Sequence, residues 1–506
     1  MRRAVGPLAV AFVSLAAPAV AAIVAGLTLL AWPAAAGAAG VVTVQGQNQL
    51  EYSVSSEADR DSTVPQEIFE DWFDADIRFD RFLVGFRYEA FLPHELGVDS
   101  LRHGIVQRYG QAEFPLGGVR VGNFYEIFGR GLLFRSYEDR SIRIDGNMDG
   151  VLVWAEERGV RAKAFSGRMR DIETDDRTAL LRGADIGIDA GHGLQLGGSY
   201  LIESARNPNA AGLTPPPASR HIEAIGGRAA YIHDRFDLYY EGGRLNRLFL
   251  TTQDRLEGRS YEDLRGSGHY GAINLFPVEG LSITAEYKEY ERFRFQPVGS
   301  DGTDYNNPPA ATRETGYTLI SRHPHQLDPE DEKGYQVETV FAPHASTTIT
   351  LSHAKTNKHA RSIGERIGDD LLKELWKGHF LGGDPVFQEW YAEWRQEIGE
   401  KYSLAAIYDY IRDKKTETKN HTPILEAGYH PGGEWSLRGE YQYQQSEEVL
   451  GTVRNHLALL ECHLTYTFTL SAVGEHAAWL EDDDPTDDQR TREVMGDYFY
   501  GQMDWF

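Results

Sequence analysis

Hydrophobicity alternates with a period of two along most of this chain, and that alternation restricts its fold more than any other feature. Val42, Val44, Gly46, Leu50 and Tyr52 share one face, against Thr43, Gln45, Gln47, Gln49 and Glu51. Phe73, Ala75, Ile77 and Phe79 alternate with Asp74, Asp76, Arg78 and Asp80. Leu281, Ile283, Ala285 and Tyr287 alternate with Ser282, Thr284, Glu286 and Lys288. Trp435, Leu437, Gly439, Tyr441 and Tyr443 alternate with Ser436, Arg438, Glu440 and Gln442. Period two with one apolar face specifies strands. A soluble sandwich alternates too, so the connections decide between the two architectures. Short turns are expected at Asp80-Arg81, Leu116–Gly118, Gly191–Gly193, Asp234-Arg235, Glu279-Gly280, Pro343-His344, Gly399-Glu400 and Pro431–Gly433. Between them lie longer polar stretches near 53–67, 127–141, 204–220, 246–267, 296–333, 357–386 and 481–491. Short turns at one end and long loops at the other are the asymmetry of membrane barrels.

The pattern predicts an all-β fold, a transmembrane antiparallel β-barrel of about 22 strands within a range of roughly 18–24. The short turns would be periplasmic and the long loops extracellular. Hydrocarbon offers no hydrogen-bond partner, so a spanning sheet has to close on itself. Aromatic residues make up 11% of the chain, with 26 Tyr, enough to furnish interfacial girdles.

Residues 1–39 read as a signal peptide. Arg2 and Arg3 precede an apolar stretch from Leu8 to Trp32, and the run Ala34–Ala39 offers A-x-A-like cleavage sites. Residues 40–506 then form one barrel domain, with long loops at 296–333 and 357–386. The formal charge of −25 opposes nucleic-acid binding. One cysteine, Cys462, allows no internal disulfide. The chain ends in Trp505-Phe506, and a terminal Phe is an assembly signal for such barrels. Asp504 and Gln502 interrupt the apolar positions that should accompany it.

The densest charge lies around the Gly122–Gly131 stretch and just beyond it. Arg120, Glu126, Arg130, Arg135, Glu138, Asp139, Arg140 and Arg143 are the candidate lumen or constriction residues. Rings of Arg pass anions and rings of acid pass cations. The competing reading is an ion-pair network tying a loop to the wall. The 296–333 loop is too long for a simple connector. Its candidates are Arg313, Glu314, Arg322 and His323, in a loop expected to narrow or plug the lumen. His323 and His325 stand two apart, without an identifiable further metal ligand. Leu371, Leu372, Leu375, Trp376 and Phe380 have helical spacing. Glu481–Asp484 and Asp487-Asp488 read as a solvated acidic loop. No nucleophile elbow, zinc-protease motif or phosphate loop is present, so no catalytic residue, metal or cofactor is expected.

Several segments together resemble an uncharacterised family of Gram-negative outer-membrane β-barrel proteins, classed as a domain of unknown function. They are Asp71–Phe73 with Gly85–Glu89, Gly122–Gly131, Tyr137–Arg140 leading to Asp145–Gly150, Asn307–Pro309, and Tyr317–His323. The resemblance implies a fold and a location, the bacterial cell outer membrane, and no substrate. The expected function is a porin-like diffusion channel for small polar or charged solutes. The alternative is a non-transporting structural or surface-binding barrel filled by salt-bridged side chains and loops. Expected partners are outer-membrane lipid and lipopolysaccharide, the barrel-assembly machinery, and small polar solutes.

Overall fold

The computed structural model describes residues 41–54, 67–91, 102–140, 144–171, 177, 179–205, 220–247, 265–297, 303–359, 384–433, 435–448, 451–465, 468–480 and 497–505. The expected signal peptide, the helically spaced 371–380 segment, the acidic 481–491 loop and Phe506 lie outside these residues. The chain divides into two compact units, Met1–Gly122 and Asn123–Phe506.

The first unit holds an antiparallel meander of β1 (Val42–Val54), β2 (Glu67–Phe79), β3 (Phe82–Phe91), β4 (Arg102–Phe114) and β5 (Gly117–Phe124) as far as Gly122. The second opens with four two-residue strands, β6 (Ile127–Phe128), β7 (Phe134–Arg135), β8 (Glu138–Asp139) and β9 (Ile144–Asp145), paired as two small ribbons. A long meander follows: β10 (Met148–Glu157), β11 (Val160–Met169), β12 (Leu180–Gly191), β13 (Leu194–Ala205), β14 (Arg220–His233), β15 (Phe236–Arg247), β16 (Gly266–Val278) and β17 (Leu281–Glu291). After a one-turn helix, α1 (Thr318–Ser321), it resumes with β18 (Asp331–His344), β19 (Thr347–Lys358), β20 (Asp384–Ile398), β21 (Tyr402–Asp413) and β22 (Thr418–Tyr429). It continues through β23 (Ser436–Glu448), β24 (Gly451–Thr465), β25 (Phe468–Leu480) and β26 (Asp497–Trp505). From β10 on, every strand pairs antiparallel with its neighbour in sequence. Among the described residues the long strands number 22, within the range the periodicity predicts.

The turns carry the local reasons. His192-Gly193 joins β12 to β13 with both residues at positive φ, 54° and 82°, the twist a two-residue hairpin needs. The turn expected at Pro343-His344 falls instead at Ala345-Ser346. The register between β18 and β19 shifts between Phe341 and His344. Pro343 has no N–H for the ladder, so this irregularity absorbs it. The turn expected at Leu116–Gly118 begins one residue earlier, at Pro115. Two connections on the long-loop side are short, at 414–417 and 449–450.

The faces of the long strands are inverted relative to a water-soluble sheet. On β23, Leu437 and Tyr441 are exposed, whereas Gln442, Gln444 and Ser446 are buried. On β22, Leu425 is exposed and Asn420 and Thr422 are buried. The first unit repeats this, with Val84, Ile105 and Val121 exposed and Glu70, Arg87 and Glu89 buried.

What covers the polar face of the second unit is its own chain. The stretch expected as a polar loop at 127–141 is in fact an apolar insert. Phe128, Leu132, Leu133 and Phe134 pack with Phe293, Phe295 and Tyr305 from the 292–330 strap. Both meet Phe165, Leu181, Leu201, Ile222, Ala224 and Leu245 on the covered face of β11–β15. Glycines make the room: a Cβ on Gly243 would stand 2.7 Å from Leu133 and 3.0 Å from Phe293. The strand expected near 142 therefore starts later, at Met148.

Candidate functional site

The covered face carries charges at alternate positions, and the strap crosses above them. Arg313 stands at the middle of that crossing. It pairs with Glu338 of β18, lies 3.7 Å from Glu393 of β20, and stacks 4.1 Å over the Tyr391 ring. On one side of it, a polar cavity of about 560 Å³ is lined by Arg130, Arg135, Glu286, Asn307, Gln336 and Glu338, among others. On the other side a second cavity of about 560 Å³ is lined by Tyr317, Tyr391, Glu393, Arg395, Glu426 and Arg438. Arg313 and Glu314 border both.

The second cavity holds a ladder of ion pairs. Arg395 Nη1 donates to Glu426 Oε1 at 2.7 Å, and its Nη2 donates to the Tyr317 hydroxyl at 3.2 Å. Arg438 Nη2 donates to Glu426 Oε2 at 2.9 Å and also to Glu440. The arginines stand forward of the acids. The Arg438 side chain is 36% exposed, against 9% for Glu426 and 4% for Glu440. A solute in the cavity thus meets guanidinium edges first, with carboxylates recessed in the wall behind them. Burial, reinforced by the charge of Glu426, pushes the Tyr317 hydroxyl up to about 12, so it stays a neutral donor.

α1 is fastened to the wall. Gln442 accepts from the Leu319 N–H at 2.9 Å, and Gln444 donates to the Leu319 carbonyl at 2.7 Å. Arg322 forms a two-pronged pair with Glu475 of β25, with Nη2 to Oε2 at 2.6 Å. Burial lowers the His323 imidazole below its ordinary value, with Gln444 beside it. His325 instead meets Glu332, which also takes Lys288 at 3.1 Å. The two histidines thus serve separate contacts.

The structure splits the group of charges expected to act together. Arg120 belongs to the first unit, where its guanidinium stacks 3.5 Å over Tyr109. Arg130 and Arg135 do reach the first cavity. Arg130 donates to the Tyr270 hydroxyl at 2.8 Å and stacks over Tyr239, while its backbone N–H donates to Glu241 at 2.9 Å. Arg135 stacks over Tyr137. Glu126 takes Lys163 at 2.8 Å, and Glu138 takes Arg140 at 2.8 Å. These two pairs and Asp139 do not line either cavity; the ion pairs brace the insert and its wall. Arg143 lies outside the described residues. From the loop group, Arg313 and Glu314 border the cavities, whereas Arg322 and His323 anchor the strap.

Sequence reasoning passed over Glu393, Arg395, Glu426, Arg438 and Glu440. Their signal was available: Glu393 and Arg395, like Arg438 and Glu440, stand two apart in strands and so share a face.

No curated protein matches the chain in sequence. Solved structures that resemble it in chain path include OprD of Pseudomonas aeruginosa, at 8% identity, 88% of this chain, 96% of that one and a TM-score of 0.40. The P pilus usher PapC translocation pore matches at 10% identity, 86% of this chain, 96% of that one and a TM-score of 0.43. A BenF-like porin from Pseudomonas fluorescens matches at 10% identity, 87% of this chain, 99% of that one and a TM-score of 0.36. The model of the family of unknown function DUF6029 matches residues 19–492. With nearly the whole antiparallel meander inside that match, the chain belongs to the DUF6029 family.

Proposed function

We propose that this chain is an outer-membrane β-barrel that conducts small polar or charged solutes along its covered, charged face, with the 292–330 strap as the constriction. The inversion of the sheet faces carries the reading. Leu425, Tyr441, Leu404 and Trp394 present large apolar surface outward while Gln442, Gln444 and Thr422 are buried. In water each exposed aliphatic group forgoes about 1.5–3 kcal/mol of burial. In a bilayer the same face is solvated by hydrocarbon, and edge-free closure satisfies the backbone. The two cavities flanking Arg313 supply a wet, charged route past the strap. Forward guanidiniums over recessed acids favour small anions and dipolar solutes over bare cations.

A filled, non-transporting barrel is the second reading. The apolar packing of Leu133, Phe134, Phe293 and Tyr305 on the covered face favours it. Single-channel recording of the refolded mature protein in a planar bilayer, with a salt gradient, separates the two. The channel reading expects stable conductance steps and a reversal potential of anionic sign that weakens in Arg395→Gln/Arg438→Gln. Folded, inserted protein that stays silent would select the filled barrel.

A further inference from the structure

The outward face of four neighbouring strands is sorted by height. Nearest the long-loop ends, Lys355 of β19 is opposite Gln388 of β20, Gln388 is opposite Arg412 of β21, and Arg412 is opposite Lys419 of β22. Two residues further along each strand, the same ladders align His353, Trp390, Tyr410 and His421. Below them come Leu351, Ala392, Tyr408 and Pro423, then Ile349, Trp394, Ala406 and Leu425. Residues two apart share a face, and the exposure of Trp390, Tyr408, Trp394 and Leu425 makes it the outer one.

The second level is a band of packed rings. His353 stacks on Trp390 at 3.8 Å, and Tyr410 packs on His421 at 4.8 Å. At the opposite end of the strands Tyr402 stacks on Tyr429 at 5.1 Å. Amphipathic rings settle where hydrocarbon meets headgroups. Two residues of strand rise roughly 6.6 Å, so the level of Lys355, Arg412 and Lys419 stands at headgroup height.

Charge on this face runs against the composition. Acids outnumber bases in the chain, 76 to 51. Yet the outward positions from Thr347 to Lys355, Gln388 to Ile398, Tyr402 to Arg412 and Lys419 to Tyr429 include no acid. Among the described residues Lys355 and Arg412 have no ion-pair partner, and Lys419 has Glu447 of β23 at 2.7 Å. Arg412 and Lys419 are directly opposite. Like charges so placed destabilise a ladder, and an anion between them removes that cost.

We infer that Lys355, Arg412 and Lys419 form a headgroup site for a lipid with more than one phosphate, and that its occupant is the lipopolysaccharide of the outer leaflet. The row extends over three strand spacings, roughly 14 Å, longer than a single phosphate bridges. Arg412 offers the planar fork that matches phosphate oxygens, and the lysines flank it as point charges. Gln388 adds an amide donor between Lys355 and Arg412. The acyl chains then lie along the face past Trp390 and Tyr408 toward Leu425. The inference rests on the membrane part of the proposed function, with the long loops extracellular, and not on conduction.

The test uses the full mature chain refolded into liposomes, then extracted in mild detergent with bisphosphorylated lipid A or with phosphatidylglycerol. Native mass spectrometry counts the lipid retained. The wild type should hold lipid A more tightly than phosphatidylglycerol. Lys355→Gln/Arg412→Gln/Lys419→Gln, which changes only outward side chains, should weaken that retention on the order of 100-fold, from a factor of about five per charge. Lys355→Arg/Lys419→Arg keeps the charge and should keep the lipid. Equal retention of lipid A by the wild type and the triple variant would overturn the site. A preference for phosphatidylglycerol would overturn its occupant. A lipid-free dimer that the triple variant splits would give the face to a second copy instead. Failure of the wild type to enter liposomes would remove the membrane reading and this inference together, whereas insertion without lipid A retention removes this inference alone.

Discussion

His359 follows the last residue of β19 and lies between two acids. Its Nδ1 is 2.6 Å from Asp331, and its Nε2 is 3.3 Å from Glu289. Burial favours the neutral ring, but the hydrogen bonds and charges of Asp331 and Glu289 outweigh it and raise the imidazole to about 9. A raised histidine stabilises the fold fully below its unfolded value near 6.5, and the contribution disappears as pH rises through about 9. The imidazolium here joins the ends of β17, β18 and β19, so its loss loosens three strands at once. Replacing His359 with Gln should cost on the order of 2 kcal/mol at pH 6 and nearly nothing at pH 10. Urea unfolding of the two proteins across that range measures it. A wild-type-minus-variant gap that stays constant with pH would mean the ring acts by packing alone.

Among the elements, the apolar insert and the strand glycines depend on one another. Gly226 and Gly243 are opposite each other across β14 and β15, and Leu133 fills the space above both. Gly243→Ala should overpack this contact and destabilise the protein by about 1–3 kcal/mol. Because the clashing atoms are side-chain ends, Leu133→Ala in the same chain should recover much of that loss. A double variant no better than the sum of the single ones would show that the insert does not seat there. The same region marks how far the sequence could be read. Alternation reveals the long strands, because a half-covered sheet imposes period two on every one of them. It does not reveal the insert, since Phe128, Leu132, Leu133 and Phe134 follow no period of their own and become core only against strands distant in sequence. Arg130 and Arg313 were legible as site residues from their charge in glycine- and proline-rich segments. The Arg395–Glu426–Arg438 ladder was not identified because its members lie on different strands, whose register fixes which of them meet.

At the scale of the whole molecule, the solvent outside the sheet is what the exposed face must match. Leu425, 63% exposed near the middle of β22, tests it. Leu425→Lys should cost about 2–4 kcal/mol in protein folded into liposomes if that position lies near the bilayer centre. A cost near zero would put this face in water and remove the membrane reading. The meander also imposes a timetable. From β1 to β5 and again from β10 to β26, each strand pairs with its neighbour in sequence, so these stretches can grow hairpin by hairpin from contacts that are short in sequence. The strap cannot follow that rhythm. Its helix is held by Gln442 and Gln444, 123 and 125 residues downstream of Leu319, and by Glu475, 153 residues beyond Arg322. These partners exist only once β23 and β25 are in place. The strap is therefore among the last pieces to dock, and the folding molecule passes through a stage with its wall largely built and its strap still unlatched.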